Sequence, residues 1–100
     1  MKLITEDINK IIVNIIRKND PVLAEIIMNW GKIVGENFSQ KSTPIRTSSY
    51  RNHSMKINVL HIKNDNASLS LEMSFQQEVI IERIAIYLGF KAIHKLRLTI

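Results

Sequence analysis

The change from one apolar period to another along the chain is the feature that most constrains its fold. Residues 5–18 carry isoleucines at the spacing of one helix face, namely Ile8, Ile11, Ile12, Ile15 and Ile16. Residues 55–63 instead alternate apolar and polar side chains, which is the period of a β-strand. Because a chain of 100 residues has room for only one core, the two periods together predict a single α+β domain over residues 1–100.

Periodicity and capping residues divide the chain into six regular segments and one loop. The predicted helices cover residues 5–18, 22–39 and 75–88, and the predicted strands cover residues 55–63, 67–73 and 94–100. Asp20 and Pro21 suit the start of the second helix, and Gly89 suits the end of the third. Residues 40–54 have no sustained period and are predicted to form a basic, mobile loop.

The predicted order of elements is α-α-β-β-α-β. Its economical packing is a small antiparallel, three-stranded sheet with helices on one face. Ser74 and Gln77 have the spacing of a capping box at the start of the third helix. The strand alternation slips between Val59 and Leu60, which predicts a β-bulge at that point.

Several classes of function lack the residues that they need. The chain has no cysteine, which excludes disulfides, thiol catalysis and thiolate metal sites. Its apolar runs fall far short of the roughly 20 residues that span a bilayer, and the first residues are acidic, so we expect a cytoplasmic protein with no membrane partner. Glu78 and Glu82 lie one helical turn apart and offer an enzymatic alternative, but the neighbouring Arg83 favours a solvated helix face. We therefore expect no enzyme activity, cofactor, metal or small-molecule substrate.

The positive charge is concentrated in two blocks of the sequence. Fourteen Lys and Arg residues against nine Asp and Glu give a net charge of +5, and neither residues 37–64 nor residues 83–100 contain an acidic residue. Such blocks attract polyanions, although a merely solubilising surface is the alternative. The candidate nucleic-acid-binding residues are Lys41, Arg46, Arg51, Lys56, Lys63, Lys95 and Arg97, with Lys56, Lys95 and Arg97 expected in one outward row on the sheet.

The third predicted helix is apolar on more than one side. Val79 and Ile86 lie among its charged residues, so this helix is either enclosed between the sheet and the first helix, which we favour, or it contacts a partner. Trp30 is either a core residue or an interface residue, since tryptophan is common in both settings. The candidate partner-binding residues are Trp30, Lys32, Val79, Arg83 and Ile86.

Three stretches of residues 22–100 resemble the DciA family of bacterial replicative-helicase loaders. They are Trp30-Gly31-Lys32-Ile33-Val34-Gly35, Thr43-Pro44, and the run from Ile81-Glu82-Arg83-Ile84 to Leu88-Gly89-Phe90-Lys91-Ala92-Ile93. The resemblance implies a KH-like domain similar to the N-terminal domain of the initiator DnaA. It also implies contact with the helicase DnaB and with single-stranded or duplex DNA. A KH-type Gly-x-x-Gly loop is absent from the sequence, so RNA reading in the usual KH manner is unsupported.

Two functions follow from these expectations. The first is a helicase-loading adaptor that docks through the helix of Trp30 or through the side of Val79 and Ile86, and that holds DNA with its basic residues. The alternative is a KH-like protein-interaction module without useful DNA affinity. The salt dependence of DNA binding separates them, because contacts to phosphate weaken steeply as salt rises.

Overall fold

A computed structural model describes residues 18–100, so the predicted helix over residues 5–18 lies, except for Lys18, outside the described residues. The described chain forms a three-stranded sheet of β1 (Ser42–Asn52), β2 (Met55–Asn64) and β3 (Lys95–Thr99), in the order β1-β2-β3. β1 is antiparallel to β2, whereas β3 is parallel to β2. The sheet is therefore mixed, and the prediction of an antiparallel sheet is wrong.

Five described helices accompany this sheet. They are α1 (Pro21–Met28), α2 (Trp30–Val34), α3 (Glu36–Ser39), α4 (Ala67–Phe75) and α5 (Gln77–Leu88). The core lies between these helices and one sheet face, where Leu60 and Ile62 of β2 and Leu96 of β3 are buried. The α+β class is confirmed. No helix within residues 18–100 has the length and apolar character needed to cross a membrane.

The helix predicted over residues 22–39 is divided into three. Asp20 caps α1, with its Oδ1 accepting a hydrogen bond from the Leu23 backbone N–H at 3.0 Å. The apolar stripe continues from α1 into α2, where Trp30 and Ile33 are buried. The helical path is interrupted at Asn29 and again at Gly35, whose φ of 89° favours glycine. A continuous apolar stripe conceals such breaks because it records which side faces the core, not the backbone dihedrals.

The prediction of a loop over residues 40–54 is wrong, since most of this stretch is β1. β1 is an edge strand of the described sheet, and its residues from Ser49 to Asn52 are all exposed. A strand in this position needs no apolar alternation, so its sequence reads as a loop. The register shifts between Pro44 and Arg46, which places the bulge at Ile45 and not at Val59–Leu60. β2 is a central strand buried on both faces over residues 59–62, and this burial produces the apparent slip in its sequence.

The prediction of a strand over residues 67–73 is also wrong, because these residues belong to α4. Leu69 and Met73 are one helical turn apart and buried, whereas Leu71 between them is 58% exposed. Asn66 caps the helix, with its Oδ1 accepting from the Leu69 backbone N–H at 2.8 Å. The apolar residues at 69, 71 and 73 fit a strand, but the 69–73 pair fits a helix equally well.

The third predicted helix corresponds to α5, which begins two residues later than expected. Ser74 is not its cap; it belongs to α4, and its Oγ donates to the Leu71 carbonyl at 2.6 Å. Gly89 ends α5 in the left-handed conformation at φ 86°. The α4–α5 pair carries the chain back across the sheet, and β3 therefore enters parallel to β2.

Candidate nucleic-acid interface

The sheet has a second face, opposite the described helices, and we call it the outer face. Since successive side chains of a strand point to opposite sides and Leu60 and Ile62 face the core, His61 and Lys63 belong to the outer face. The register places His61 beside Arg46 of β1 and beside Arg97 of β3. The three residues form one row across all three strands.

His61 lies at the centre of this row and is only 7% exposed. Its Nε2 is 2.7 Å from the Oγ of Ser48, which belongs to the same face two residues further along β1 than Arg46. Burial of the ring lowers the pKa of His61 below its ordinary value of 6.5, and the positive charges of Arg46 and Arg97 lower it further. A neutral imidazole therefore lies between two arginine residues in this row.

Four exposed cations surround this histidine on the outer face. The register pairs Val59 with Lys95 and Lys63 with Thr99, so both lysines lie on the same face as His61. We call the four cations the basic face, and they are Arg46, Lys63, Lys95 and Arg97. None of the outer-face positions of the three strands carries an acidic residue. This arrangement can hold phosphate groups by charge without reading a base sequence.

The remaining predicted nucleic-acid-binding residues lie elsewhere. Arg51 and Lys56 are paired across the β1–β2 hairpin, and strand alternation places them on the opposite face from His61. The expectation that Lys56 shares an outward row with Lys95 and Arg97 is therefore wrong. Lys41 is exposed in the turn before β1, where its carbonyl accepts from the Asp65 backbone N–H at 3.0 Å. Charge blocks in a sequence do not distinguish the two faces of a strand.

Trp30 is a core residue and is not available to a partner. Its side chain is 5% exposed, and its Nε1–H donates to the Oγ of Ser42 at 3.0 Å. The Oγ of Ser42 in turn donates to the Phe38 carbonyl at 2.5 Å. These bonds join α2 to the first residue of β1, so Trp30 has the core setting of the two, and its low exposure gives no support to its predicted contact with a partner.

The other predicted partner-binding residues are exposed around a shallow groove. Lys32, Arg83 and Ile86 line a groove of about 230 Å³ between α2 and α5, together with Tyr87. Val79 lies one turn before Arg83 on α5 and is 47% exposed, while Ile86 is 74% exposed. The favoured expectation that α5 is enclosed on both sides is therefore wrong at these two residues. We call Lys32, Val79, Arg83 and Ile86 the α5 surface.

Two hydrogen bonds fix the groove in place. The Arg83 guanidinium donates to the Ile33 carbonyl at 3.5 Å, and the Tyr87 hydroxyl donates to the Asn29 Oδ1 at 2.7 Å. Both bonds cross from α5 to the α1–α2 segment. The two contacts therefore connect the two sides of the groove.

The enzymatic alternative gains no support from the geometry. Glu78 and Glu82 line a groove of about 410 Å³ with Lys91 and His94. The Nδ1 of His94 accepts a hydrogen bond from the Asn58 backbone N–H at 3.0 Å. This nitrogen is therefore used in connecting β2 to the residue that precedes β3. Within residues 18–100, no three His, Asp or Glu side chains are grouped so that they could hold a metal ion.

Sequence reasoning missed the contribution of Ser48 and His61 to the interface. His61 appears in the sequence as a polar residue on a strand flank, and Ser48 lies in the stretch interpreted as a loop. The signal that could have found them is the polar position between Leu60 and Ile62, since a strand buried on one face places this residue on the other.

Two comparisons with known proteins bear on this chain, and a third found nothing. Residues 6–98 match the model of a family described as "Dna[CI] antecedent, DciA". An uncharacterized protein of Rickettsia prowazekii (strain Madrid E) is 46% identical over 99 residues, which cover 99% of this chain and 92% of that protein. No solved structure matches the chain.

Proposed function

This chain belongs to the DciA family, and from that membership we propose that it is an accessory protein of DNA replication that binds the replicative helicase DnaB and DNA and assists helicase loading. The family is known for helicase loaders and accessory factors, not for enzymes. The family match from residue 6 to residue 98 carries this proposal, because it includes all of the described sheet and helices except Thr99, the last residue of β3. The role places the protein in the cytoplasm, where bacterial DNA is replicated.

The basic face is the part of the molecule that we assign to DNA. Arg46 and Arg97 lie in one row on either side of the neutral His61, and Lys63 and Lys95 extend the positive charge along the sheet. Strands lie roughly 4.8 Å apart, so the backbone positions of the two arginines are about two strand spacings apart across the sheet. Such contacts position DNA and give an affinity that falls as salt rises.

The α5 surface is the part that we assign to the helicase. It combines two exposed aliphatic side chains, Val79 and Ile86, with the cations Lys32 and Arg83. Apolar side chains together with arginine are enriched at the centres of protein interfaces. The surface lies on α5, whose buried residues Ile80 and Ile84 pack against the core face of the sheet, and is thus remote from the basic face.

The finer assignment of the fold, a KH-like domain similar to the N-terminal domain of DnaA, is part of the proposal. It is supported by the three-stranded sheet with one core between the sheet and the helices. The observed order within residues 18–100 places two strands before the α4–α5 pair and one strand after it. The connection between α4 and α5 is the single residue Gln76, which leaves no room for a Gly-x-x-Gly loop there.

The alternative proposal is a KH-like interaction module without useful DNA affinity. The exposed α5 surface supports it, because that surface alone is sufficient for an adaptor that binds one protein partner. In this case the basic face would confer only solubility. The two proposals differ in one measurable property, which is the affinity of the isolated protein for DNA and the dependence of that affinity on salt.

The test is a pair of charge-reversal variants measured against two partners. R46E/R97E changes the basic face and K32E/R83E changes the α5 surface, and each lowers the net charge by four from its value of +5. Fluorescence anisotropy with labelled single-stranded and duplex DNA is recorded over a salt titration, and helicase binding is recorded with purified DnaB. Circular dichroism and urea unfolding check that both variants fold.

We expect the two variants to lose different partners. R46E/R97E should weaken DNA binding at least tenfold and reduce the slope of log K against log salt on duplex DNA by about 1.8, since each phosphate contact contributes about 0.9. K32E/R83E should retain DNA binding and lose DnaB. Equal losses of DNA affinity in both variants would show that only net charge matters. DnaB binding without DNA binding by the unmodified protein would establish the interaction module instead.

A further inference from the structure

The β1–β2 hairpin extends beyond the third strand. β3 pairs with β2 only from Val59 onward, so within residues 18–100 no third strand lies beside the end of the hairpin. Every residue from Ser49 to Lys56 is exposed, and we call this segment the hairpin arm. The arm contains Arg51 and Lys56 and no acidic residue. These two cations lie on the helix side of the sheet and are not part of the basic face.

A pocket lies where the arm meets the segment between α5 and β3. Its volume is about 350 Å³, within the usual range of small-molecule sites. Lys56 lines one side of it, while Phe90 and Lys91 line the other. Both lysines are exposed, and the Phe90 ring is 56% exposed. The pocket thus combines one accessible aromatic ring with two ammonium groups.

Hydrogen bonds make the floor of this pocket rigid. The Asn58 side chain donates to the Ala92 carbonyl at 3.0 Å, and the Asn58 carbonyl accepts from the His94 backbone N–H at 2.9 Å. These bonds fix the segment of Phe90 and Lys91 against β2. The backbone next to Phe90 and Lys91 is therefore anchored to the sheet.

The one carboxylate in the lining is already engaged. Asp20 accepts from the Leu23 backbone N–H with Oδ1 and from the Thr47 hydroxyl with Oδ2. One carboxylate oxygen thus caps the start of α1, and the other contacts β1. The lysines of the pocket have no ion pair with it, and an incoming anion meets a net positive site.

We propose that this pocket binds one nucleotide of single-stranded DNA, with its base stacked on Phe90 and its phosphate between Lys56 and Lys91. Aromatic stacking together with a positively charged groove is the usual means of binding a single strand. A duplex keeps its bases stacked on one another and offers no free base face. This inference rests on the proposed function, since it assumes that the protein binds DNA. It adds that the pocket, which is separate from the basic face, selects single-stranded DNA.

The test compares two exposed phenylalanines. F90A removes the ring of the pocket, and F75A removes a ring that is 81% exposed at the end of α4 and lies outside the pocket lining. The probes are labelled oligo(dT) of about twelve nucleotides, a length within the site sizes of single-strand binders, and a duplex of the same length. We expect F90A to weaken oligo(dT) binding about tenfold, as loss of one stacked base does. Its duplex affinity should change less than twofold, and F75A should change neither.

A second variant and a free nucleotide complete the test. K56E/K91E should reduce oligo(dT) affinity by more than F90A, because it reverses both phosphate contacts. Free dTMP should compete with oligo(dT) only at millimolar concentration if the strand is the ligand; competition at the oligo(dT) concentration would show a mononucleotide site and overturn the proposal. F90A behaving like F75A would also overturn it while leaving DNA binding at the basic face intact. Absence of DNA binding by the unmodified protein would contradict the proposed function itself.

Discussion

At the scale of the residue, burial of His61 makes stability depend on pH. The pKa of His61 is lowered from 6.5 in the folded protein, first by burial and then by Arg46 and Arg97. The unfolded chain therefore binds a proton at a higher pH than the folded chain, and protonation favours unfolding. The stability that the neutral ring provides is present above pH 6.5 and is lost as the pH falls below that value toward the folded-state pKa.

We expect the midpoint temperature of unfolding to decrease when the pH is lowered from about 7.5 to about 5, because His61 takes up a proton over this range. His61→Gln, which keeps a polar side chain beside Ser48, should fall less over the same range. His53→Gln, at the exposed hairpin turn, is the matched control and should follow the unmodified protein. The measurement is thermal unfolding by circular dichroism at several pH values. A His61→Gln curve parallel to that of the unmodified protein would contradict this account.

The sequence identifies the chemical character of the candidate site but not its geometry. Arg46, Lys63, Lys95 and Arg97 are recognisable as cations in acid-free segments. Their position on a single face depends on strand register, which the extra residue Ile45 shifts by one. Residues 40–54 have no apolar alternation from which the change of register at Ile45 could be predicted. Residue type was therefore predictable, whereas the division of the cations between two faces was not.

At the scale of the element, α4 begins at a single side-chain cap. The Asn66 Oδ1 accepts from the Leu69 backbone N–H, which would otherwise lack a partner at the helix start. We expect Asn66→Ala to lower the free energy of unfolding by about 1 kcal/mol, the usual cost of losing such a cap. Asn52→Ala, at the exposed end of β1, is the control and should have little effect. Urea unfolding measures both; equal stabilities of the two variants would show that the cap contributes nothing.

The elements that sequence reasoning recovered share one physical property. α5 and β2 each bury a regular apolar pattern against the core, with Ile80 and Ile84 on α5 and Leu60 and Ile62 on β2. β1 buries few side chains and leaves no such pattern. α4 is short, and its apolar residues fit the period of a strand as well as that of a helix. Pattern reasoning thus succeeds where an element has one extended buried side, and fails at edges and in short helices.

At the scale of the whole molecule, the basic face and the α5 surface lie on opposite sides of the sheet. The core residues Leu60 and Leu96 separate His61 and Arg97 from the helices. One copy of the protein can therefore contact DNA and a protein partner at once. This arrangement suits an adaptor that brings the two together.

We expect saturating duplex DNA to leave the affinity of the protein for DnaB unchanged within about twofold, since independent surfaces do not couple. The measurement is titration of labelled protein with DnaB, with and without the duplex of about twelve base pairs, using sedimentation to detect the ternary complex. K32E/R83E serves as the control that should form only the DNA complex. Displacement of DNA by DnaB would show that the two surfaces overlap.

The bulge at Ile45 also bears on how copies of this protein avoid one another in a crowded cell. Among residues 18–100, β1 and β3 are the two edge strands of the sheet, and an unprotected edge invites pairing with the edge of a neighbouring molecule. Pro44 removes a hydrogen-bond donor from β1, and the bulge beside it disturbs the regular row of edge groups. Lys95 and Arg97 place like charges on the other edge. The cations that we assign to DNA thus also act against aggregation, and replacing them by uncharged β-branched residues would expose the protein to it.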